Sequence, residues 1–291
     1  MDKMNKNLKK EDMLFEKDKQ DKIYWHDAFF AALQLELHDY INDLIFEDER
    51  QLSKEALAMD VLIIKKIAGI KIEKNIGRIF KGHNIFEYKS EKDTLSIWDY
   101  NKVMGYAFVY SAFEKVIVEN LTISFVVTPK PIKLFNYLKN NRGFTITEVN
   151  PGIYYIKGDT FKIQVIESKR LTNEENVFLK NLRSSLTHRD MEDVFEAYRK
   201  YYSLEKVDIY LNRVLSANKI ISEEVLNVSA VLRDMVYEHF EKDGTLDRIA
   251  RENQEKKARD AAYEMIKRGF DPKDISDIIK MPIEWVQNLE K

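Results

Sequence analysis

The chain contains no cysteine. Disulfides, zinc–thiolate sites and thiol catalysis are therefore excluded. Histidine is scarce: His26, His38, His83, His188 and His239 are all there is, and none shows a paired metal-ligand spacing such as HExxH. No apolar run approaches the roughly 18 residues that a membrane-spanning helix needs. The first 22 residues are dense in Lys, Asp and Glu and have no apolar stretch of the kind a signal peptide carries. Net charge is nearly absent as well, since 47 Lys and Arg face 49 Asp and Glu. Without an overall basic field, any contact with nucleic acid must rest on local patches. The expectation is a cytoplasmic protein with no membrane partner.

What is present is apolar and aromatic. With 44% hydrophobic residues, including 16 Phe and 15 Tyr, the chain can build a real core rather than stay disordered. Residues 1–22 read as a charged lead-in. From Tyr24 to Phe46, Phe29, Leu33, Leu37, Tyr40, Ile41 and Leu44 recur at three- and four-residue steps, which predicts one amphipathic helix. Glu47 to Lys54 is charged and reads as a loop. Ala56 to Lys66 is a continuous apolar run, the mark of a strand buried on both faces, with Asp60 at its leading end. A strand over Ile85 to Lys89 follows. Side chains alternate along it, so Ile85, Glu87 and Lys89 share one face while Phe86 and Tyr88 share the other.

A second helix is predicted over Ile97 to Phe113 and a third clear strand over Leu121 to Thr128. A short helix is expected over Pro131 to Asn141. Closing strands follow over Phe144 to Val149, Ile153 to Lys157 and Phe161 to Glu167, with a turn at Asn150-Pro151-Gly152. After Ser168 only helical periodicity remains. This divides the chain into the lead-in, an α/β core over residues 23–170, a helical region over 171–245, and a charged helix with a small helical pair over 246–291.

Phosphodiester hydrolysis on nucleic acid commonly uses magnesium, which takes hard oxygen ligands and keeps several waters. A nearby lysine then orients water and offsets developing charge. Asp60, Glu87 and Lys89 supply these parts from two adjacent strands. The backbone carbonyl of Tyr88 is a further candidate ligand. Glu36 on the first helix is a candidate extra ligand or water-positioning base. Lys102 and Tyr106, one turn apart on the second helix, are candidate phosphate contacts. The plain alternative is surface charge on an edge strand for the triplet, a rim charge for Glu36, and core packing for Tyr106. Acid-x-Lys occurs four times, at Glu87, Glu167, Glu255 and Asp271. Only the triplet at Glu87 also has an acid-bearing apolar strand before it.

Several segments carry a resemblance: Leu35-Glu36-Leu37, Met59-Asp60-Val61-Leu62-Ile63-Ile64-Lys65-Lys66, Ile76-Gly77-Arg78-Ile79-Phe80, Asn84-Ile85-Phe86-Glu87-Tyr88-Lys89-Ser90 and Asp99 to Tyr110. Over residues 24–130 these resemble the PD-(D/E)xK nuclease superfamily, and within it the bacterial transposase-like, recombination-promoting nuclease group. The resemblance implies a restriction-endonuclease-like core, a mixed sheet flanked by helices, followed by an all-helical C-terminal region. It also implies metal-dependent DNA cleavage linked to transposition or recombination, with Mg2+ or Mn2+ as cofactor. By position the family's acids fall on Asp60 and Glu87, its lysine on Lys89 and its helix glutamate on Glu36. Met59 stands where the family motif has proline.

RNA is the alternative substrate, and a non-catalytic nucleic-acid-binding or interaction protein with a nuclease-like core is the alternative function. Lys65, Lys66, Arg78, Lys81 and Lys102 are candidates for a local basic groove. The tail, Asp274 to Lys280 and Ile283 to Leu289, has helix-turn-helix proportions. It offers only Gln287, Asn288 and Lys291 for base reading, so a structural role or a homodimer surface is favoured.

Overall fold

The computed structural model describes residues 25–51, 58–65, 69–201, 207–218, 221, 224–225, 258–259 and 261–289. The lead-in over 1–22, Lys66, most of the expected helical region after residue 218 and most of the charged helix after Leu246 lie outside the described residues. The chain divides into two compact units, Met1–Val225 and Leu226–Lys291.

The first unit opens with helix α1 over residues 25–36. Ala28 to Leu33 are buried on every side, as expected of a helix enclosed within a core rather than lying on a surface. The expected continuation to Phe46 does not occur. A 3-10 turn, His38–Tyr40, follows, and hydrogen bonds from Tyr40, Ile41 and Asp43 to carbonyls three residues back swing the chain away. Strand β1 then runs over Leu44–Gln51, across the end of the expected helix and into the loop expected from Glu47. Its charged residues suit its place, because β1 is an edge strand and charge there discourages pairing with another chain.

Strands β2 (Ala58–Lys65), β3 (His83–Lys89) and β4 (Leu121–Val127) lie inside the sheet. Helix α2 (Ile97–Glu114) connects β3 to β4, and helix α3 (Ile132–Arg142) precedes β5 (Thr145–Asn150), β6 (Ile153–Lys157) and β7 (Lys162–Glu167). The seven-stranded order is β1-β2-β3-β4-β7-β6-β5. β1, β2 and β3 pair antiparallel, β3, β4 and β7 parallel, and β7, β6 and β5 antiparallel. At the β5–β6 turn Gly152 has φ +76°, and a Cβ there would stand 2.6 Å from the Glu167 carbonyl oxygen, so the turn requires glycine.

Helices cover both faces. Phe29 of α1 stacks on Tyr88 at 4.6 Å and lies 6.4 Å from Phe86, on one face of β3. Tyr100, Val103 and Ala107 of α2 pack with Leu62, Ile85, Ile123 and Phe125 on the other. Buried Asn84 ties the layers together. Its amide nitrogen donates to the Ile63 and Lys81 carbonyls, and its oxygen accepts from the Lys81 amide and the Thr122 hydroxyl. Every bond a buried asparagine of this kind needs is made, which removes the penalty of burying it.

After β7 come helices α4 (Asn173–Lys180), α5 (His188–Tyr201) and α6 (Val207–Ala217). α4 is broken at Asn176, whose φ of −143° is not helical, so a fresh set of helix N–H groups begins just beyond it. In the second unit, α7 (261–267), α8 (Pro272–Ile279) and α9 (Ile283–Leu289) bury Ala262, Ile275 and Val286. Asp271 caps α8 through the Lys273 amide, with Pro272 at the first helical position. Among the described residues no helix is long and apolar enough to cross a membrane.

Candidate active site

The paired stretch of β2 and β3 ends at Val61↔Phe86. The next position places Asp60 opposite Glu87, and opposed residues of an antiparallel pair project to the same face. Beyond the last pair the Asp60 carboxylate takes over from the ladder. Its Oδ2 accepts the Tyr88 amide at 2.8 Å. A residue's N–H and C=O point to the same edge of a strand, so the Tyr88 carbonyl is directed to that edge too.

Glu87 is buried, and its Oε1 accepts from the Lys89 ammonium at 3.0 Å and the Lys102 ammonium at 3.2 Å. Lys89 also meets Asp99 Oδ1 at 3.1 Å. Burial opposes the charge on Lys89. The Glu87 carboxylate and the bonds to Glu87 and Asp99 outweigh it and hold the ammonium above its usual pKa. Asp99 is itself fixed. Its Oδ2 accepts from the Ser96 amide and hydroxyl while Ser96 accepts the Asp99 amide, a capping box at the start of α2. The cap of one helix thus sets the position of the lysine.

Asp60 is pushed up to about 6, first by burial and next by the charge of Glu87, against the opposing pull of His26. His26 Nδ1 stands 3.5 Å from Asp60 Oδ1. A second carboxylate that makes Asp60 harder to ionise favours a cation between the two. Among the described residues no group of three or more His, Cys, Asp or Glu side chains is arranged to hold a metal. Magnesium asks for less, one or two carboxylates with water completing the shell, so the donor set fits it.

Glu36 is elsewhere. His26 and Glu36 are the two ends of α1, ten residues or about 15 Å of helix apart, and it is His26 that meets Asp60. The buried Glu36 carboxylate accepts the Phe178 and Leu179 amides at 2.8 and 3.0 Å through Oε1, and Lys74 at 2.8 Å through Oε2. It caps the part of α4 that restarts after Asn176. Burial raises its pKa, opposed by Lys74 and the two amides.

Lys102 reaches the pair, but Tyr106 is only 6% exposed and lies in the α2 core beneath it, 5.4 Å from the Lys102 ammonium. Trp98, one turn before Lys102 on α2, is 80% exposed. Three residues around the pair were not singled out from the sequence: His26, Asp99 and Trp98. His26 sits three before Phe29, on the apolar stripe, and Ser96-x-x-Asp99 before an apolar run is a capping-box signature. Both signals were legible. No protein-family model, curated protein or solved structure matches the chain.

Proposed function

We propose that this chain is a metal-dependent DNA endonuclease of the PD-(D/E)xK type, with a restriction-endonuclease-like core. The observation that carries the reading is the meeting of Asp60 and Glu87 across β2 and β3, with Lys89 beside them on the same face. The mixed sheet between α1 and α2 agrees with the fold that the motif resemblance implies.

Asp60 and Glu87 would hold magnesium or manganese, which when bound supplies Lewis acidity and a water of lowered pKa. Lys89, anchored by Glu87 and Asp99, is placed as a donor that orients water and offsets charge at the scissile phosphate. Lys102, half exposed beside Glu87, offers a second cation to phosphate. Trp98 offers an open aromatic face on which a nucleobase can stack.

The test is plasmid cleavage with magnesium, with EDTA, and with Asp60→Ala and Lys89→Ala. Nicking is expected with magnesium alone and in neither variant. Metal-dependent nicking that survives both substitutions would sink the assignment, and cleavage of RNA but not DNA would change the substrate. The second reading, a non-catalytic nucleic-acid-binding protein on a nuclease-like core, draws on Glu87 Oε1, which two ammonium groups already engage. It expects nucleic-acid binding in gel shift with no cleavage under any metal.

A further inference from the structure

The segment Arg78 to Lys81, just before β3, closes over the sheet and forms a cleft of about 300 Å³ against β6 and β7. Four cations line it, Arg78, Lys81, Lys157 and Lys162, with Tyr155 and Ile163 among the remaining walls and no carboxylate in the lining. Lys81 and Lys162 are neighbours, and the charge of Lys81 pulls the Lys162 ammonium below its usual pKa. Among the described residues no acid pairs with Lys81, Lys157 or Lys162. Arg78 is fixed by neutral oxygens, its Nε on the Glu73 carbonyl at 3.0 Å and a terminal nitrogen on Asn150 Oδ1 at 3.2 Å. The Glu73 carboxylate is itself held by Lys71 at 2.8 Å.

The cleft is separate from the Asp60–Glu87 pair. Lys162 shares the face of β7 that carries Gln164, and Tyr155 and Lys157 share the matching face of β6 through the Tyr155↔Gln164 pairing. Gln164 bonds Ser124 and the Ile76 carbonyl on that face. Glu87 projects to the opposite face, where its neighbour across the ladder, Phe125, stacks on Tyr100 of α2. Along the strands, Lys162 is level with Thr122, three residues or about 10 Å before the level of Glu87 and Phe125.

We propose that this cleft is a binding site for two adjacent phosphate groups, distinct from the Asp60–Glu87 pair. The Glu73 carboxylate also feels the charge of Arg78, but the three ammonium groups are gathered without an acid of their own, and like charges so placed cost energy unless an anion joins them. A pair of phosphates matches both the number of cations and their chemistry, three ammonium point charges and one guanidinium held in a fixed orientation. The volume is at the lower end for small-ligand sites, which suits a phosphate pair better than a large organic anion. The same chemistry is presented by a nucleoside polyphosphate and by two successive phosphodiesters of a nucleic-acid strand.

The experiment is titration calorimetry on the full chain in phosphate-free buffer with EDTA, using inorganic pyrophosphate as the probe. Pyrophosphate is expected to bind, and Lys81→Ala with Lys162→Ala to weaken it by about tenfold or more. Lys162 is exposed, so Lys162→Ala alone keeps the fold and is expected to show a smaller loss. Asp60→Asn and Glu87→Gln bind pyrophosphate as the unaltered chain does, whether or not the chain cleaves DNA. Displacement by a short single-stranded oligonucleotide identifies the phosphodiester backbone as the ligand, and displacement by a nucleoside triphosphate alone identifies the free nucleotide. An affinity unchanged in the double variant, or no binding at millimolar pyrophosphate, overturns the proposal.

Discussion

Two buried carboxylate clusters in the first unit use the same residue types but give their acids different neighbours. Around Glu36, one acid meets one lysine and two backbone amides, and both oxygens are engaged by donors. Around Glu87, a second acid, Asp60, stands opposite, and burial first and the charge of Glu87 next raise the Asp60 pKa. The first cluster is a fastener between α1 and α4, complete without any ligand. The second has an excess of carboxylate on one side and lysine on the other, a polarity that suits a cation and a phosphate. Burial raises the pKa of Glu36 and Asp60 alike, so the shift alone does not separate them; a second acid opposite is the functional signal, and saturation by backbone donors the structural one.

The sharpest way to break this comparison is Glu36→Ala. It leaves Lys74 and two helix amides facing a cavity, and the expected loss is about 3–5 kcal/mol of folding stability, read by urea denaturation. If stability barely changes, the fastener reading fails.

Asp60→Asn should act with the opposite sign in the metal-free protein. The Asp60 carboxyl is raised in the folded state to about 6, so the folded chain binds more protons than the unfolded one between roughly pH 4 and 6. Its favourable contribution is present below that window and is lost as pH rises through it. Asparagine removes the penalty while it still accepts the Tyr88 amide. Thermal melts in EDTA should show the variant more stable than the unaltered chain at pH 7, by as much as about 3 kcal/mol, with the difference closing towards pH 4. A variant less stable at pH 7 would mean that Asp60 is satisfied as Glu36 is.

Asp99→Ala is expected to have the smallest effect on stability, on the order of 1 kcal/mol from the lost helix cap. Its use is to separate positioning from folding. Lys89 keeps Glu87 but loses its second anchor, so magnesium-dependent cleavage should fall while Ser96→Ala, with a similar cost in stability, affects cleavage less. Equal losses of cleavage in the two variants would reduce Asp99 to a capping residue.

The interior of the sheet was legible because β2 and β4 are apolar on both faces, and such runs admit few other readings. β1 was not, since Glu47, Asp48 and Glu49 on an edge strand look like a solvated loop. The end of α1 was overrun because Tyr40, Ile41 and Leu44 continue the three- and four-residue spacing after the chain has turned. Glu87 and Lys89 could be grouped from strand alternation, and Asp60 joined them as the acid of the apolar strand before, but that the two acids stand opposite each other needed the register. Glu36 was grouped with them because a sequence shows that a helix carries an acid but not which end of that helix faces the strands. His26 has the better claim to that neighbourhood by ten residues of helix.

Asn84 has a consequence at the far end of its strand. Its four bonds lock β3 against β2, β4 and the segment before it at the residue where the strand begins to be buried. Side chains alternate with every step, so a slip of a single residue would turn Glu87 and Lys89 towards α1 and present Phe86 and Tyr88 to α2. The bonds of Asn84 go to none of these groups, yet it sets the zero from which their positions are counted. A strand of seven residues works here as a ruler, with its origin at an amide and its chemistry read off three and five marks later.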